Sequence, residues 1–298
     1  MFFKPKPPEL RKPTPRRVRD LEIASARLIR AGFAGDYHSA FHGRGIEFSQ
    51  VREYQPGDDI RTIDWNVTAR HDTPYVKEFV EERDLTIIIA VDVSGSMGFG
   101  SVDWRKADIA AELAAVFAFS AVQNADRVGL LLFSDSVRTF VPPRRGHAHA
   151  QVIVRSVVDA AMRGGEGNAD IEHAAMFLDR VNVHRAVLIV LSDFLDLNFE
   201  RPMRRLVRRH DLVAISLFDP REDRFPPLGL ARLRDVETGE ARLVDFAKSE
   251  VARRAAQRHQ QLERRFRTAG VDWLAVNTAI PYDRDLLRFF RERTTRRP

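Results

Sequence analysis

The chain has 298 residues, enough for one sizeable hydrophobic core and an extension, and its 44% hydrophobic content is ordinary for a globular protein. It has no cysteine, which excludes disulfides, thiolate catalysis and cysteine-ligated zinc or iron–sulfur clusters. The formal charge of +6 comes from 48 Lys and Arg residues interleaved with 42 acids, so we expect no nucleic-acid partner.

No apolar run reaches the roughly 18 residues that a membrane-spanning helix needs. The most apolar helical stretch, residues 107–122, includes Asp108 and Glu112. The first residues lack the apolar core of a signal peptide. We therefore expect no membrane span and a cytoplasmic location, and the sequence leaves the oligomeric state open.

Two segments are predicted ahead of the main domain. Residues 1–34 combine an arm rich in Pro, Lys and Arg with a short amphipathic helix from Val18 to Ile29. Residues 35–84 are polar and broken by turn signals, and Ile46–Tyr54 and Tyr75–Val80 have strand-like content. We expect this second segment to be a β-rich extension that packs on the main domain.

The stretch Gly43–Asp84 of this extension carries a high density of mixed charges. Its charged residues include Glu47, Arg52, Glu53, Asp58, Asp59, Arg61, Asp64 and Arg70. Two interpretations stay open. These residues form ion pairs that hold the loops together, or they make a docking surface for another protein.

Residues 85–298 alternate between apolar strands and helices, which is typical of a doubly wound, mostly parallel α/β sheet with helices on both faces. The predicted strands are Leu85–Val91, Arg127–Ser134, Val137–Val141, Ala186–Leu191, Leu212–Leu217 and Val271–Val276. The predicted helices are Trp104–Asn124, Gly146–Met162, Asp170–Val181, Phe199–His210, Phe246–Ala269 and Asp283–Arg293.

Proline pairs mark two irregular places in this domain. Pro142-Pro143 ends the strand Val137–Val141, which places that strand at an edge of the sheet. Residues 219–245 break the alternation with Pro226-Pro227 and a Thr238-Gly239 turn, and they predict a β insertion.

Oxygen-bearing side chains follow two of the predicted buried strands. Asp92, Ser94 and Ser96 come directly after the first strand, and Asp193 follows the strand Ala186–Leu191. In an open α/β sheet, ligands bind outside the carboxyl ends of the strands. Carboxylate and hydroxyl oxygens at such a place suit Mg²⁺ or another hard cation.

The pairing of these two strand ends, VDVSGSM and VLSDFLD, resembles the metal-ion-dependent adhesion site of von Willebrand factor type A domains. That site has the pattern Asp-x-Ser-x-Ser, then a Thr, then an Asp. From about Gly35 to its end, the chain resembles more closely a bacterial family known as domain of unknown function fifty-eight. The motifs that carry this resemblance include GRGIEFSQVREYQPGDDIRTIDWNVTAR, YVKEFVEERD, DVSGSM, DRVGLLLFSD and LSDFLD.

This resemblance implies a von Willebrand factor type A-like, Rossmann-like fold and a partner, because members of the family commonly accompany MoxR-type AAA+ ATPases. It also implies a metal site. Ser94 and Ser96 would bind a divalent cation such as Mg²⁺ directly, and Asp92 and Asp193 would hold it directly or through water.

The third motif of the site departs from the family pattern. Where relatives tend to have Gly-Gly-Thr-Asp, this chain has Gly167-Asn168-Ala169-Asp170, so a methyl group replaces the expected Thr hydroxyl. Loss of one oxygen from about six weakens a hard-cation site unless Asn168, Asp170 or water fills the gap. The sequence leaves open whether the site holds metal.

The strand-end residues do not match the enzyme sites that they superficially resemble. Phosphoryl transfer by Asp92 would be helped by a second carboxylate two residues later, where this chain has Ser94. The sequence DVSGS does not fit the Gly-x-Ser-x-Gly elbow of hydrolases. The sequence also lacks a phosphate-binding loop, so ATP hydrolysis must come from a partner.

The first functional hypothesis is a non-enzymatic protein-interaction module. Its bound cation would coordinate a carboxylate of a MoxR-type AAA+ ATPase, or of another type A-domain protein, during assembly or maturation of a protein complex. The competing hypothesis is a metal-dependent hydrolase acting at the same strand ends. Trp65, Trp104 and Trp273 are expected to be core or interface anchors.

Overall fold

The computed structural model describes residues 15–41, 46–71, 73–81, 85–181, 185–196, 198–223, 230–234, 241–245 and 250–296. The predicted arm before residue 15 and the Pro226-Pro227 and Thr238-Gly239 segments lie outside these residues, as do both ends of Gly43–Asp84.

The helices and strands agree closely with those expected from the sequence. The helices are α1 Pro15–Leu28, α2 Ala34–Phe41, α3 Trp65–Thr68, α4 Lys106–Gln123, α5 His147–Arg163, α6 Ile171–Arg180, α7 Glu200–Val207, α8 Pro220–Asp223, α9 Glu250–Ala269 and α10 Asp283–Arg296. The strands are β1 Ile46–Glu53, β2 Tyr75–Glu81, β3 Thr86–Asp92, β4 Arg127–Phe133, β5 Val137–Arg144, β6 Val187–Ser192, β7 Asp211–Phe218, β8 Leu230–Arg234, β9 Ala241–Asp245 and β10 Asp272–Asn277.

Six strands form the central sheet in the order β10-β7-β6-β3-β4-β5. Among the described strands every neighbouring pair of this sheet is parallel except β4 and β5, and β5 lies at the edge of the sheet, as predicted. The predicted end of that strand at Val141 is wrong: β5 continues through Pro142 and Pro143 to Arg144, because an edge strand with an irregular register tolerates residues that lack an N–H donor. The predicted fold class, a doubly wound and mostly parallel α/β sheet, is confirmed.

The side chains of β3 show how the two faces of the sheet are filled. Ile87 and Ile89 belong to a core cluster with α4, α5 and α10, whereas Ile88 and Ala90 belong to a second cluster with α6, α7 and α9. Because successive strand residues point to opposite faces, a strand that is covered on both faces is apolar throughout. This explains the uninterrupted apolar run in the sequence.

The helices α1 and α2 complete the first of these clusters. Phe33 and Tyr37 are fully buried, and their ring centroids lie 5.3 Å and 6.2 Å from that of Phe290 in α10. Gly32 has a φ of +107°, a conformation that glycine adopts readily, and it makes the bend between the two helices. The helix Ala34–Phe41 occupies the start of the segment 35–84, for which the sequence predicted a β-rich extension with strands at Ile46–Tyr54 and Tyr75–Val80. Its aromatic side chains recur at helical spacing. The domain boundaries themselves stay a prediction.

Two antiparallel hairpins accompany the central sheet. The pair β1 and β2 matches the two strands expected in the extension, and β8 and β9 form the β insertion expected in residues 219–245. Across the described parts of the chain, no helix combines the length and apolar character that crossing a bilayer requires.

Candidate functional site at the carboxyl edge of the sheet

The two acids singled out in the sequence lie at the same edge of the sheet. The parallel strands β3 and β6 place Val91 beside Leu191, so Asp92 and Ser192 end their strands side by side. The hydroxyl of Ser192 donates a hydrogen bond of 2.6 Å to Oδ2 of Asp92. Asp193 follows directly, and all three polar side chains are buried. The strand pairing thus brings the two acids together as expected.

The turn after β3 adds the two predicted serines. The backbone N–H of Ser94 donates to Oδ1 of Asp92 at 2.8 Å, and the hydroxyl oxygens of Ser94 and Ser96 lie 3.2 Å apart. The short 3₁₀ turn Gly95–Gly98 holds this geometry, and both serine side chains are buried. All four predicted site residues therefore belong to one edge of the sheet.

A glycine-rich loop between α5 and α6 packs against this turn. The N–H of Gly95 donates to the carbonyl oxygen of Gly167 at 3.0 Å. A Cβ atom on Gly165 would lie 1.8 Å from the carbonyl oxygen of Ser94, so only glycine fits at this close approach. The sequence predicts a loop here, but its contact with the site depends on tertiary structure.

The third motif does not supply the missing hydroxyl. Ala169 is buried in the second apolar cluster. Asp170 caps α6, because its Oδ1 accepts the N–H of His173 at 2.9 Å and its Oδ2 lies 2.8 Å from the His173 ring. Partial burial raises the pKa of Asp170, but the hydrogen bonds outweigh it and hold that pKa below its usual value. Asn168 is exposed, and no side-chain hydrogen bond joins it to the predicted site in the described residues.

A buried lysine that was not predicted from the sequence lies beside Asp193. Lys106 begins α4, and its Nζ lies 2.7 Å from Oδ2 of Asp193 and 2.6 Å from Oε1 of Glu222. The ring centroid of Phe99 is 5.9 Å from Nζ, within range of a cation–π interaction. A lysine at the start of a helix that is apolar around most of its circumference was the available signal, because a buried ammonium requires a partner.

A third strand end adds two more carboxylates. Asp219 follows β7, is fully buried, and accepts hydrogen bonds from the N–H and the hydroxyl of Ser101 at 2.6 Å and 2.5 Å. The hydroxyl of Thr278, after β10, lies 3.4 Å from Oδ2 of Asp219. Oε2 of Glu222 accepts the N–H of Asp219 at 2.9 Å, while its Oε1 contacts Lys106. These contacts join the ends of β6, β7 and β10 in one network.

The electrostatics of this network follow from burial. Burial raises the pKa of Asp92 to about 7, nearby Asp193 adds to the rise, and hydrogen bonds from neighbouring serines partly oppose it. Burial lowers the pKa of Lys106, but the attraction of Asp193 and Glu222 outweighs it and holds that pKa above its ordinary value. Lys106 therefore carries a positive charge at neutral pH.

Both carboxylate oxygens of Asp193 are already engaged within the protein. Oδ2 of Asp193 is bonded to the ammonium of Lys106, and its Oδ1 accepts the N–H of Leu195 at 3.2 Å. A cation bound to Asp193 would face the positive charge of Lys106 at short range. Among the described residues, no three His, Cys, Asp or Glu side chains are placed to hold a metal ion. The Mg²⁺ site expected from the sequence stays a prediction.

The space beside the strand ends is small. A cavity of about 10 Å³ lies next to Asp92 and Ser94, and its other lining residues include Met97 and Val157. Such a volume holds about one water molecule. This cavity has no room for a phosphorylated or acyl substrate.

A family model described as "Protein of unknown function DUF58" matches residues 50–265. The chain belongs to the DUF58 family. The uncharacterized protein Rv1480 of Mycobacterium tuberculosis is 32% identical over 280 residues, which cover 93% of this chain and 88% of the relative. The uncharacterized protein MAV169 of Mycobacterium avium is 30% identical over 164 residues, which cover 52% of this chain and 94% of the relative.

Two solved structures show limited similarity to this DUF58 chain. The conserved hypothetical protein BatB from Bacteroides thetaiotaomicron has a TM-score of 0.45 at 13% identity, covering 71% of this chain and 99% of that chain. The SpRpn10 VWA domain has a TM-score of 0.37 at 13% identity, covering 68% of this chain and 93% of that chain. Neither similarity bears on what this DUF58 protein does.

Large apolar side chains are exposed on the loops above the buried network. Trp104 in the loop before α4 is 48% exposed, Leu195 after β6 is 46% exposed, and Ile280 after β10 is 59% exposed. We call the side chains of Trp104, Leu195 and Ile280 the apolar rim. The loops that carry Trp104 and Ile280 are anchored by hydrogen bonds from Ser101 and Thr278 to the buried carboxylate of Asp219. All three loops follow the carboxyl ends of parallel strands, so these side chains belong to the same edge of the sheet.

In the β1–β2 extension of this DUF58 chain, several acids are engaged locally. Arg52 forms hydrogen bonds of 2.7 and 2.8 Å with Asp58, and these contacts are the main reason that the pKa of Asp58 falls to about 2. Asp59 and Asp64 cap the two short turns that follow. These contacts favour the ion-pair interpretation for those residues, while the exposed ring of Trp65 leaves the docking hypothesis open.

Proposed function

We propose that this DUF58 chain is a non-enzymatic protein-interaction module that binds its partner at the carboxyl edge of the sheet. The observation that carries the proposal is the arrangement of that edge, where a buried polar network fixes loops that expose the apolar rim. Large apolar side chains on a fixed surface lose little conformational entropy on binding and gain from burial.

The proposed partner is a MoxR-type AAA+ ATPase. The choice of this partner rests on the family resemblance, since relatives commonly accompany such ATPases. It agrees with the lack of a phosphate-binding loop in this sequence, because the ATPase would supply the hydrolysis that drives assembly or maturation of a protein complex.

The contacts of the strand-end residues support binding over catalysis. Both carboxylate oxygens of Asp92 accept short hydrogen bonds within the protein, and the hydroxyl of Ser94 is paired with that of Ser96. A nucleophile or base needs a reacting atom within hydrogen-bond reach, and the adjoining cavity holds about one water molecule. Generic phosphatase and esterase substrates, supplied with Mg²⁺ or Mn²⁺, are therefore expected to show no turnover.

The proposal is tested by capture of the MoxR-type ATPase from the native host. Trp104→Ala and Leu195→Ala each remove a rim side chain, and each is expected to weaken capture about tenfold, the effect of about 1.4 kcal/mol of lost binding energy. Val152→Ala is the matched control, because Val152 is 52% exposed and lies on α5, outside the three loops that carry the rim. Equal capture by all variants, or turnover that depends on Asp92, would overturn the proposal.

A further inference from the structure

We propose that the ammonium of Lys106 is the resident cation of the carboxyl edge and supplies there the positive charge that a divalent metal supplies in an adhesion site. The site would then assemble from the chain alone, without metal. The ammonium would hold the site together whichever class of partner binds there.

The position of the ammonium is the first argument. Two carboxylate oxygens from separate elements, Oδ2 of Asp193 and Oε1 of Glu222, converge on Nζ at 2.7 Å and 2.6 Å. These distances are typical of charge-assisted hydrogen bonds and only slightly longer than Ca²⁺–oxygen distances. The lysine side chain has no exposed surface, so its charge acts on these groups without solvent between them.

The balance of charge is the second argument. Buried carboxylates need a counter-charge or several hydrogen-bond donors. Asp219 is satisfied by N–H and hydroxyl donors, including both donors of Ser101. Asp193 and Glu222 instead share the ammonium. Lys106 thus supplies the charge compensation that a bound metal supplies elsewhere.

Local structure fixes the lysine in this position. Lys106 is the first residue of α4, and its N–H donates to the carbonyl oxygen of Phe99 at 3.1 Å. The carboxylate of Asp108 accepts the N–H of Arg105 at 3.1 Å and binds its guanidinium at 2.9 and 3.0 Å, which sets the direction of the first helical turn. The lysine stem therefore enters the protein at a defined angle instead of extending into solvent.

The third motif also departs from the adhesion-site pattern in a way that disfavours a divalent cation. Ala169 presents a methyl group to an apolar cluster, so the hydroxyl expected there is missing. A divalent cation would lose one of about six oxygen ligands. An ammonium with three donors needs fewer acceptors, and two of its donors already bind Asp193 and Glu222.

The experiment is a titration of the full chain with Mn²⁺, in which electron paramagnetic resonance measures the free ion. The wild type is expected to take up no Mn²⁺ below millimolar concentration, and EDTA is expected to leave its melting temperature unchanged. Lys106→Met keeps the length of the side chain but frees two convergent carboxylate oxygens, so we expect one Mn²⁺ per chain, bound at least tenfold more tightly than by the wild type.

Arg155→Met is the matched control, since Arg155 is exposed on α5, and it is expected to behave as the wild type. Stoichiometric uptake of Mn²⁺ by the wild type at micromolar concentration would overturn the proposal. A folded Lys106→Met variant that takes up no Mn²⁺ would also overturn it. If that variant does not fold, Lys106→Arg is the deciding variant. No uptake of Mn²⁺ by it supports a resident cation, and uptake contradicts it.

Discussion

Nζ of Lys106 lies 2.7 Å from Oδ2 of Asp193, across 87 residues of sequence, and neither side chain is exposed. The pair connects the first turn of α4 to the loop after β6. Breaking a buried pair from one side leaves an uncompensated charge, which typically costs about 3–5 kcal/mol. We therefore expect Lys106→Met to lower the free energy of unfolding by about that amount, measured by urea denaturation without added metal.

A double-mutant cycle separates this pair from general damage. Asp193→Asn combined with Lys106→Met removes both charges, and we expect the double variant to lose less stability than the sum of the single variants. Strict additivity would show that the two groups do not interact in solution.

Substitution of Gly165 tests how closely the glycine-rich loop packs against the turn after β3. An added Cβ would lie 1.8 Å from the carbonyl oxygen of Ser94, and neither backbone can move without disturbing the turn after β3. We expect Gly165→Ala to destabilise the protein by about 1–3 kcal/mol, the usual effect of overpacking. Gly98→Ala is the control, because a Cβ there meets no atom within 4 Å. Equal melting temperatures for both variants would contradict the close approach.

Phe33 tests whether the N-terminal helices belong to the core. Its ring is fully buried against Phe117 and Phe290, with centroid distances of 5.7 Å and 5.3 Å. Truncation of a buried phenylalanine costs about 3–5 kcal/mol, so we expect Phe33→Ala to lower the free energy of unfolding by that amount. Ile23→Ala, at an exposed position of α1, should change it by less than about 0.5 kcal/mol. Similar effects for the two variants would mean that these helices do not pack on the main domain.

We expect the free energy of unfolding to depend on pH through His210. Burial, helped by the charge of Arg209, lowers the pKa of His210, and its Nδ1 accepts the N–H of Ala186 at 3.3 Å. The unfolded chain binds the proton more readily than the folded protein. The stability that neutral His210 contributes is therefore present above the ordinary histidine pKa of about 6.5 and is lost as pH falls below it.

His210→Asn retains an acceptor near the position of Nδ1 but does not titrate. We expect the wild type to lose stability relative to this variant between pH 7 and pH 5, measured by urea denaturation at each pH. Parallel stability profiles would show that His210 titrates normally in the folded protein.

The sequence was sufficient to predict the helices and strands whose residue patterns are local. The apolar run ending at Asp92 predicts a strand buried on both faces, and a parallel neighbour places Asp193 at the same edge. The contacts of Lys106 and Gly165 were not predicted, because each depends on how distant segments approach one another. The helix at residues 34–41 was missed because its few aromatic positions are identified as a helical face only against the partner that covers them.

The central claim is that the partner binds at the carboxyl edge. It is tested most directly by hydrogen–deuterium exchange of this chain with and without the purified MoxR-type AAA+ ATPase of the same organism. The account predicts slower exchange on binding in three loops, residues 94–104, 193–196 and 278–281. Unchanged exchange in these loops, together with protection of another surface such as α5, would contradict it.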